Sequence, residues 1–535
     1  MTAHFIGIDV GTGSARAGVF DEVGALLASA KHEIEVWHEA GDIVEQSSSD
    51  IWRAVCASVR DAVKQAGIAP ASIAGIGFDA TCSLVVLGSG GAPLPVGPSG
   101  EAERNIIVWM DHRAIEQARR INATGHAVLN YVGGSISPEM ETPKLLWLAE
   151  NMPATFSDAW QFMDLTDFLT WKATGSLARS VCTVTCKWTY LAHEGRWDES
   201  YFKAIGLGAL ADDGFTRIGR EVVPGGTSLG QGLTVEAASD LGLLAGTPVA
   251  AGLIDAHAGG IGTVGARGGS GSALSRMAYV FGTSACTLST TQEPAFVPGV
   301  WGPYFSAMVP RLWLNEGGQS AAGAAVDHLV RFHPAAGAAE KEAARGGLSL
   351  NGWLAVQAEE RGGTAALPQL VGGVHVVPEF LGNRAPFADP DARGLIAGLD
   401  MDTGTESLVS LYLAGICGLG YGARQIVKVQ QGKGIATDMI VVSGGAGQSP
   451  LVRQLLADAT GLTVAASTSP EPVLLGSAIL GAVAAGRYPD AVAAMAAMSE
   501  LGEIYAPDPA MRAWHDKRFE AFELLQATGR TIRGA

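Results

Sequence analysis

The sequence predicts an α/β protein of two similar lobes with a ligand cleft between them, and three observations carry this expectation. The chain has 535 residues, more than one hydrophobic core organises. Each half opens with apolar, strand-like runs that end in Gly/Thr/Ser turns and then passes into longer stretches of helical spacing. The 71 glycines gather between apolar runs instead of forming a linker, a pattern suited to tight turns at which backbone approaches a ligand. The lobes are expected over residues 1–266 and 267–535, joined in the Gly-rich passage from Pro248 to Gly271.

In the first half, Phe5 to Asp21 reads as strand, tight turn and strand, a hairpin with Gly11 to Ser14 at its tip. From Ser49 to Ala66 the residues Ile51, Trp52, Val55, Val59, Ala62 and Val63 fall at helical spacing, and Asp50 places negative charge in the first turn, where the helix dipole favours it. Ile73 to Phe78 reads as a buried strand leading into Asp79-Ala80-Thr81-Cys82-Ser83. The second half repeats the pattern. Met277 to Phe281 is strand-like and ends at Gly282-Thr283-Ser284; Met439 to Val442 enters Ser443-Gly444-Gly445-Ala446-Gly447, and a helix follows over Leu451 to Ala459. The uncharged stretch Val473 to Gly486 is shorter than the roughly 20 residues that span a bilayer. Its Gly and Ala content fits a closely packed buried helix.

Apolar residues make up 47% of the chain and charged residues 17%, which suits a well-buried enzyme and excludes a disordered chain. Lys and Arg number 36 against 53 Asp and Glu, a net charge of −17 that repels phosphodiester backbones, so no nucleic-acid partner is expected. A nucleotide is still compatible, because Mg²⁺ and backbone N–H groups mask phosphate charge. The amino terminus has no basic region followed by a long apolar one, so no signal peptide is expected, and no membrane partner either. Six cysteines in so long a chain do not form a disulfide framework. Cys182 and Cys186 lack a companion Cys/His pair at zinc spacing and are read as buried thiols of a reducing, cytoplasmic compartment.

Several segments carry chemistry. In Asp9-Val10-Gly11-Thr12-Gly13-Ser14, successive N–H groups at a glycine turn form an anion nest, and the Thr and Ser hydroxyls add donors. Asp9 could hold Mg²⁺ through its waters, and Arg16 lies near enough in sequence to neutralise phosphate charge; the same residues also fit an ordinary hairpin. Gly282-Thr283-Ser284 is a second phosphate turn, and Ser443 to Ser449 a third place where backbone can approach a nucleoside. No Gly-x-x-x-x-Gly-Lys-Ser/Thr loop occurs. Gly260 to Gly265 matches Gly-x-Gly-x-x-Gly, but no acidic residue follows between Ala266 and Gln292 to take a ribose, so the match is a decoy. Gly252 to Gly259 sets Asp255 and His257 in an apolar, Gly-rich surround that raises a carboxylate toward useful base strength; a helix cap is the alternative. Trp109-Met110-Asp111-His112-Arg113 suits a polyhydroxylated ligand or, equally, a helix start with an ion pair.

Taken in order, these segments resemble the FGGY carbohydrate kinases, members of the actin, hexokinase and Hsp70 superfamily with a duplicated ribonuclease H-like fold. The resemblance runs through Gly7 to Arg16, Trp109 to Arg113, Gly252 to Gly259, Phe281 to Ser284, Ser443 to Ser449 and Leu475-Gly476-Ser477-Ala478. Thr81-Cys82-Ser83-Leu84-Val85 looks like the D-ribulose kinase branch, as do Ser137-Pro138-Glu139-Met140 and Gly382 to Pro386. Glycerol kinases carry Arg-Glu at Cys82-Ser83, and xylulose kinases Met-His. The resemblance implies an ATP- and Mg²⁺-dependent kinase making D-ribulose 5-phosphate, with Asp255 as general base and lobe closure around the sugar. L-ribulose, another ketose or a polyol is the alternative substrate, and a non-catalytic nucleotide-switched protein the alternative class. Thr81, Trp109, Asp111, Lys187, Asp255 and Glu316 are then expected at the sugar. Thr12, Gly13, Ser14, Arg16, Gly282, Thr283, Gly323, Gly445 and Ser449 are expected at the nucleotide, and Asp9 at the metal. Homodimers are frequent in the family.

Overall fold

The computed structural model describes residues 3–40 and 42–534. Met1, Thr2, Gly41 and Ala535, which fall within the two expected lobes and the amino-terminal reading, lie outside the described residues. Strands β1 (His4–Val10), β2 (Ser14–Phe20) and β3 (Leu26–Glu33) run antiparallel, and β4 (Ile73–Ala80) and β5 (Leu253–Ile254) add in parallel. They form a five-stranded sheet in the order β5-β4-β1-β2-β3. The second half holds β6 (Arg276–Phe281), β7 (Ala285–Thr291), β8 (Trp301–Phe305), β9 (Trp313–Gln319), β10 (Met439–Ser443), β11 (Thr463–Ser467) and β12 (Leu501–Tyr505). Their seven-stranded sheet runs β8-β9-β7-β6-β10-β11-β12. Here β6, β7 and β9 repeat the antiparallel β1, β2 and β3, while β10 and β11 repeat the parallel β4 and β5. The duplication expected from sequence is therefore a repeat of topology.

Local sequence explains the elements that hold these sheets. Helix α1 (Ser48–Ala66) begins where the Ser47 side chain accepts from the Asp50 amide and ends at Gly67, whose φ of 65° an L side chain adopts at a cost. Ile51, Trp52, Val55, Val59, Ala62 and Val63 are buried, so the helical spacing read from the sequence marks the face turned inward. Helices α2 (Val181–Trp188), α3 (Asp255–Ile261), α4 (Gly323–Arg331), α5 (Thr405–Gln431), α6 (Pro450–Thr460) and α7 (Pro472–Ala484) frame the site and the second lobe.

Helix α7 comes late in the chain yet packs on β1 and β4 of the first sheet and against α3. The contact is backbone on backbone. A Cβ at Gly7 would overlap the Leu474 carbonyl, one at Gly77 the Ser477 carbonyl, and one at Gly262 the Pro472 carbonyl. The decoy glycine run thus includes a residue that lets two helices touch. Leu474, Leu475 and Ile479 are fully buried there, each contributing roughly 1.5–3 kcal/mol. One apolar cluster joins Phe5 and Ile254 to Ala278, Leu288 and Leu474, so the two halves share a floor beneath the cleft. Each large sheet lies on its own side of position 266, whereas α7 crosses back. Among the described residues no helix is long and apolar enough to cross a membrane.

Candidate active site

Three carboxyl side chains meet where neighbouring parallel strands end. Asp9 and Asp79 are register partners across β1 and β4, Leu253 pairs with Asp79, and Asp255 opens α3 directly after β5. The carboxyl ends of parallel strands are where such sheets bind ligands. Asp255 is the first helical residue, with Ile254 before it as cap; its Oδ1 accepts from the Ala256 amide at 2.7 Å. Burial, and then the nearby Asp9, push the Asp255 carboxyl up to about 6, while the Ala256 amide, His257 and Lys187 pull the other way. Asp79, fully buried, is pushed well above the usual carboxylate range by burial and by Asp9. The Ser477 hydroxyl donates to its Oδ2 at 2.5 Å, and among the described residues its Oδ1 has no hydrogen-bond partner.

Arg16 is the cation at this cluster. Its Nε donates to Asp9 at 3.0 Å and its Nη1 to Glu471 at 3.0 Å, so the guanidinium expected at phosphate is held between two carboxylates. Asp9, in register with Asp79 and bonded to Arg16, offers the hard carboxylate oxygen that suits a hydrated Mg²⁺. The repulsion from Asp9 that lifts Asp255 is also the field a divalent cation would offset.

Both hairpins turn at the glycine-containing segments read from the sequence. At the first, the Gly11 amide donates to the Ser14 carbonyl at 3.0 Å and Trp109 Nε1 donates to Thr12 Oγ1 at 3.0 Å. Gly13 is exposed, with open space beside its Cα. At the second, Gly282 and Thr283 are exposed, and the Thr283 carbonyl accepts from the Ala322 amide at 2.9 Å, fastening the tip to the start of α4. Gly323 donates to the Gly282 carbonyl at 3.0 Å, and a Cβ there would lie 2.8 Å from that oxygen. Gly282, Gly323, Gly445 and Ser449 line one cavity of about 480 Å³, within the size range of small-molecule sites. Asp327 and Asn351 also line it, joined by an Asn351 Nδ2 to Asp327 Oδ1 bond of 2.7 Å; no motif in the sequence marks them.

On the other side of Asp255, Lys187 of α2 and Glu316 of β9 are buried with Nζ 3.7 Å from Oε1. Lys187 Nζ lies 4.5 Å from the centre of the Trp301 ring, and the Arg384 guanidinium 5.6 Å from it. Burial alone would raise Glu316, but Lys187, His257 and Arg384 outweigh it and hold the carboxyl at about 2. Glu139, 3.6 Å from His112, sits near Arg384. Trp301, Arg384, Glu139 and His112 are half-buried and join the site through packing that sequence spacing does not show. Thr81 donates its amide to the Val10 carbonyl at 3.0 Å, and its hydroxyl lies 3.2 Å from Ser83 Oγ. Trp109 is fixed by its amide to the same Ser83 Oγ at 3.1 Å. Asp111 is placed differently from the sugar contact expected. Fully buried, it accepts from the Val44 amide at 2.6 Å and from Arg113 Nη2 at 2.7 Å, with its other oxygen on the Arg113 amide at 2.9 Å. That is an ion pair closing a loop, with both oxygens occupied.

The geometry agrees with what the chain resembles. The N-terminal domain model of the FGGY family of carbohydrate kinases matches residues 4–262, and the C-terminal domain model residues 277–485. Over 527 residues the chain is 46% identical to a human FGGY carbohydrate kinase domain-containing protein, covering 97% of this chain and 95% of that one. It is 38% identical over 512 residues to a D-ribulokinase of Saccharomyces cerevisiae, covering 90% and 72%. With a ribulokinase of Mycolicibacterium smegmatis the identity is 32% over 527 residues, covering 92% and 88%. The xylulose kinase of Rhodospirillum rubrum shares the fold at a TM-score of 0.79 and 22% identity, over 99% and 100% of the two chains. With both halves matched in order on a shared two-lobed fold, the chain belongs to the FGGY family of carbohydrate kinases, enzymes that phosphorylate sugars with ATP.

Proposed function

We propose that this sugar kinase transfers the γ-phosphoryl group of ATP to the terminal hydroxyl of D-ribulose, giving D-ribulose 5-phosphate. The observation that carries the reading is Asp255, a half-buried carboxyl at the strand ends beside Asp9, pushed up to about 6 by burial and Asp9 and countered by Lys187 and His257. A base of that strength is largely ionised at neutral pH and still accepts a proton readily. Asp255 takes the proton from the attacking hydroxyl as its oxygen meets the γ-phosphorus in line. Lys187 donates to a ketose oxygen and Glu316 accepts from a hydroxyl, which fixes the sugar's orientation. Thr81 and Trp109 border the same space. The Thr12–Ser14 and Gly282–Thr283 tips offer amides to the phosphates, and the cavity between Gly323 and Ser449 takes the nucleoside. Asp9 is the residue to hold Mg²⁺, which when bound supplies charge neutralisation at the phosphates.

Support for the ketopentose comes from Thr81-Cys82-Ser83 and from the likeness to the yeast D-ribulokinase. The likeness to the bacterial ribulokinase favours a second reading, a neighbouring ketose such as L-ribulose. The test is D-ribulose-dependent ADP release with the product analysed for the position of its phosphate. Stoichiometric release with phosphate on C5 is expected. Release that does not depend on sugar, or phosphate on another carbon, overturns the reading.

A further inference from the structure

We propose that His257 is a positioning residue for the sugar site, whose imidazole holds Glu316 of the second lobe in place from the first. The proposal rests on the reading of Lys187 and Glu316 as sugar contacts. Asp255 and His257 stand two residues apart in the first turn of α3, but they face different ways: Asp255 is half-buried, while His257 is fully buried. The ring bridges three elements. Its Nε2 lies 3.3 Å from Glu316 Oε2 on β9, and its Nδ1 lies 2.9 Å from Cys182 Sγ on α2, the helix that also bears Lys187. The sulfur is fixed in turn by the Ile254 amide at 3.4 Å.

This arrangement divides the work of the Glu316 carboxylate. Oε2 is tied to His257 and Oε1 faces Lys187 at 3.7 Å, too long for a full hydrogen bond. Freed from the imidazole, the carboxylate would close on Lys187 with both oxygens, and acceptor and donor would then satisfy each other instead of a sugar hydroxyl. The titratable groups facing the ring are Cys182 and Cys186 of α2, Glu316 of β9 and Asp255 of its own helix. Burial opposes the cation, yet Cys182 and Glu316 hold the ring protonated, up to about 10. A buried imidazole engaged at both ring nitrogens, by Cys182 and by Glu316, is a directional clamp.

The same atoms raise another use. Cys182, Cys186 and His257 present ligand atoms within 4.8 Å of one another, a zinc-like trio. Among the described residues no fourth Cys, His, Asp or Glu joins the group, and the imidazole is already satisfied at both nitrogens, so the clamp is the favoured reading.

Two isosteric variants separate the ring's two contacts. His257→Gln places its amide where Nε2 stands and keeps the bond to Glu316; His257→Asn reaches only Cys182. We expect sugar KM to rise roughly 10- to 100-fold in H257N, the range for stripping a partner from a buried charged group, with ATP KM unchanged. H257Q is expected to rescue most of that rise. Equal sugar KM in the two variants, with Glu316→Gln raising it, overturns the clamp and leaves the sugar-site reading standing. Glu316→Gln at wild-type sugar KM overturns both. Should H257N fail to fold, nitrogen-labelled histidine in the wild-type protein gives a second readout: a His257 ring with its proton on Nε2 at neutral pH supports the clamp, and a tautomer with Nε2 unprotonated overturns it. One equivalent of zinc in the purified protein, lost in Cys182→Ser, also overturns it.

Discussion

Replacing Asp255 by Asn removes the proposed base while keeping the side chain's size and its capacity to accept from the Ala256 amide. Two magnitudes follow from the structure. Loss of a positioned base costs about 10²- to 10⁴-fold in kcat, whereas sugar KM, set by Lys187 and Glu316 on this account, changes little. The second concerns pH. With the Asp255 carboxyl at about 6, the ionised, active form falls from roughly nine tenths of the enzyme at pH 7 to about one tenth at pH 5. In the wild type kcat/KM should therefore drop roughly tenfold across that interval, with the loss on the acid side because the deprotonated form is the competent one. Coupled ADP release across a pH series at saturating ATP and Mg²⁺ measures all of this. An Asn variant within about threefold of wild type, or one that keeps the acid limb, would refute the reasoning.

Asp79→Asn should be tolerated or stabilising at neutral pH. The wild-type carboxyl, lifted well above its ordinary value, contributes most to stability when protonated, and the contribution is lost as pH rises above the ordinary carboxylate range. Calorimetric Tm of the Asn variant should lack that decline; a large loss of Tm at neutral pH would show instead that the ionised group is structurally required. Gly323→Ala should raise ATP KM by roughly tenfold with sugar KM unchanged, since overpacking against the Gly282 carbonyl 2.8 Å away carries a strain of about 1–3 kcal/mol. Equal effects on both KM values would argue that the Gly282–Gly323 contact does not border the nucleotide alone.

What sequence could show was what is local. The hairpin tips, α1 with its Ser47 cap and Gly67 stop, and the buried face at Ile51, Val55 and Val59 all follow from spacing and turn chemistry within one element. Asp9, at the end of β1 before a glycine turn, and Asp255, at the start of α3 after a short strand, each stand out within their own segment. Asp79 closes a strand too, but its chemistry comes from lying in register with Asp9 across the sheet, and no local pattern marks that. Arg16 and Asp111 stood in suggestive places, yet partners decide their states: Glu471 reaches Arg16 from 455 residues away, and Arg113 with the Val44 amide occupies Asp111. Cys182 and Cys186 lacked a companion at zinc spacing, while the fold brings His257 to Cys182 from 75 residues away through the packing of α2 near α3. Trp301 and Arg384 join Lys187 in the same way, across the lobe boundary.

The most direct test of the central claim is kcat/KM for ADP release over a panel of D-ribulose, L-ribulose, D-xylulose, the corresponding pentitols and glycerol. D-ribulose is expected to lead by at least about tenfold, since a site built to pair specific hydroxyls penalises an epimer that leaves Lys187 or Glu316 unpaired. An equal or higher value for L-ribulose, or for any polyol, would contradict the account.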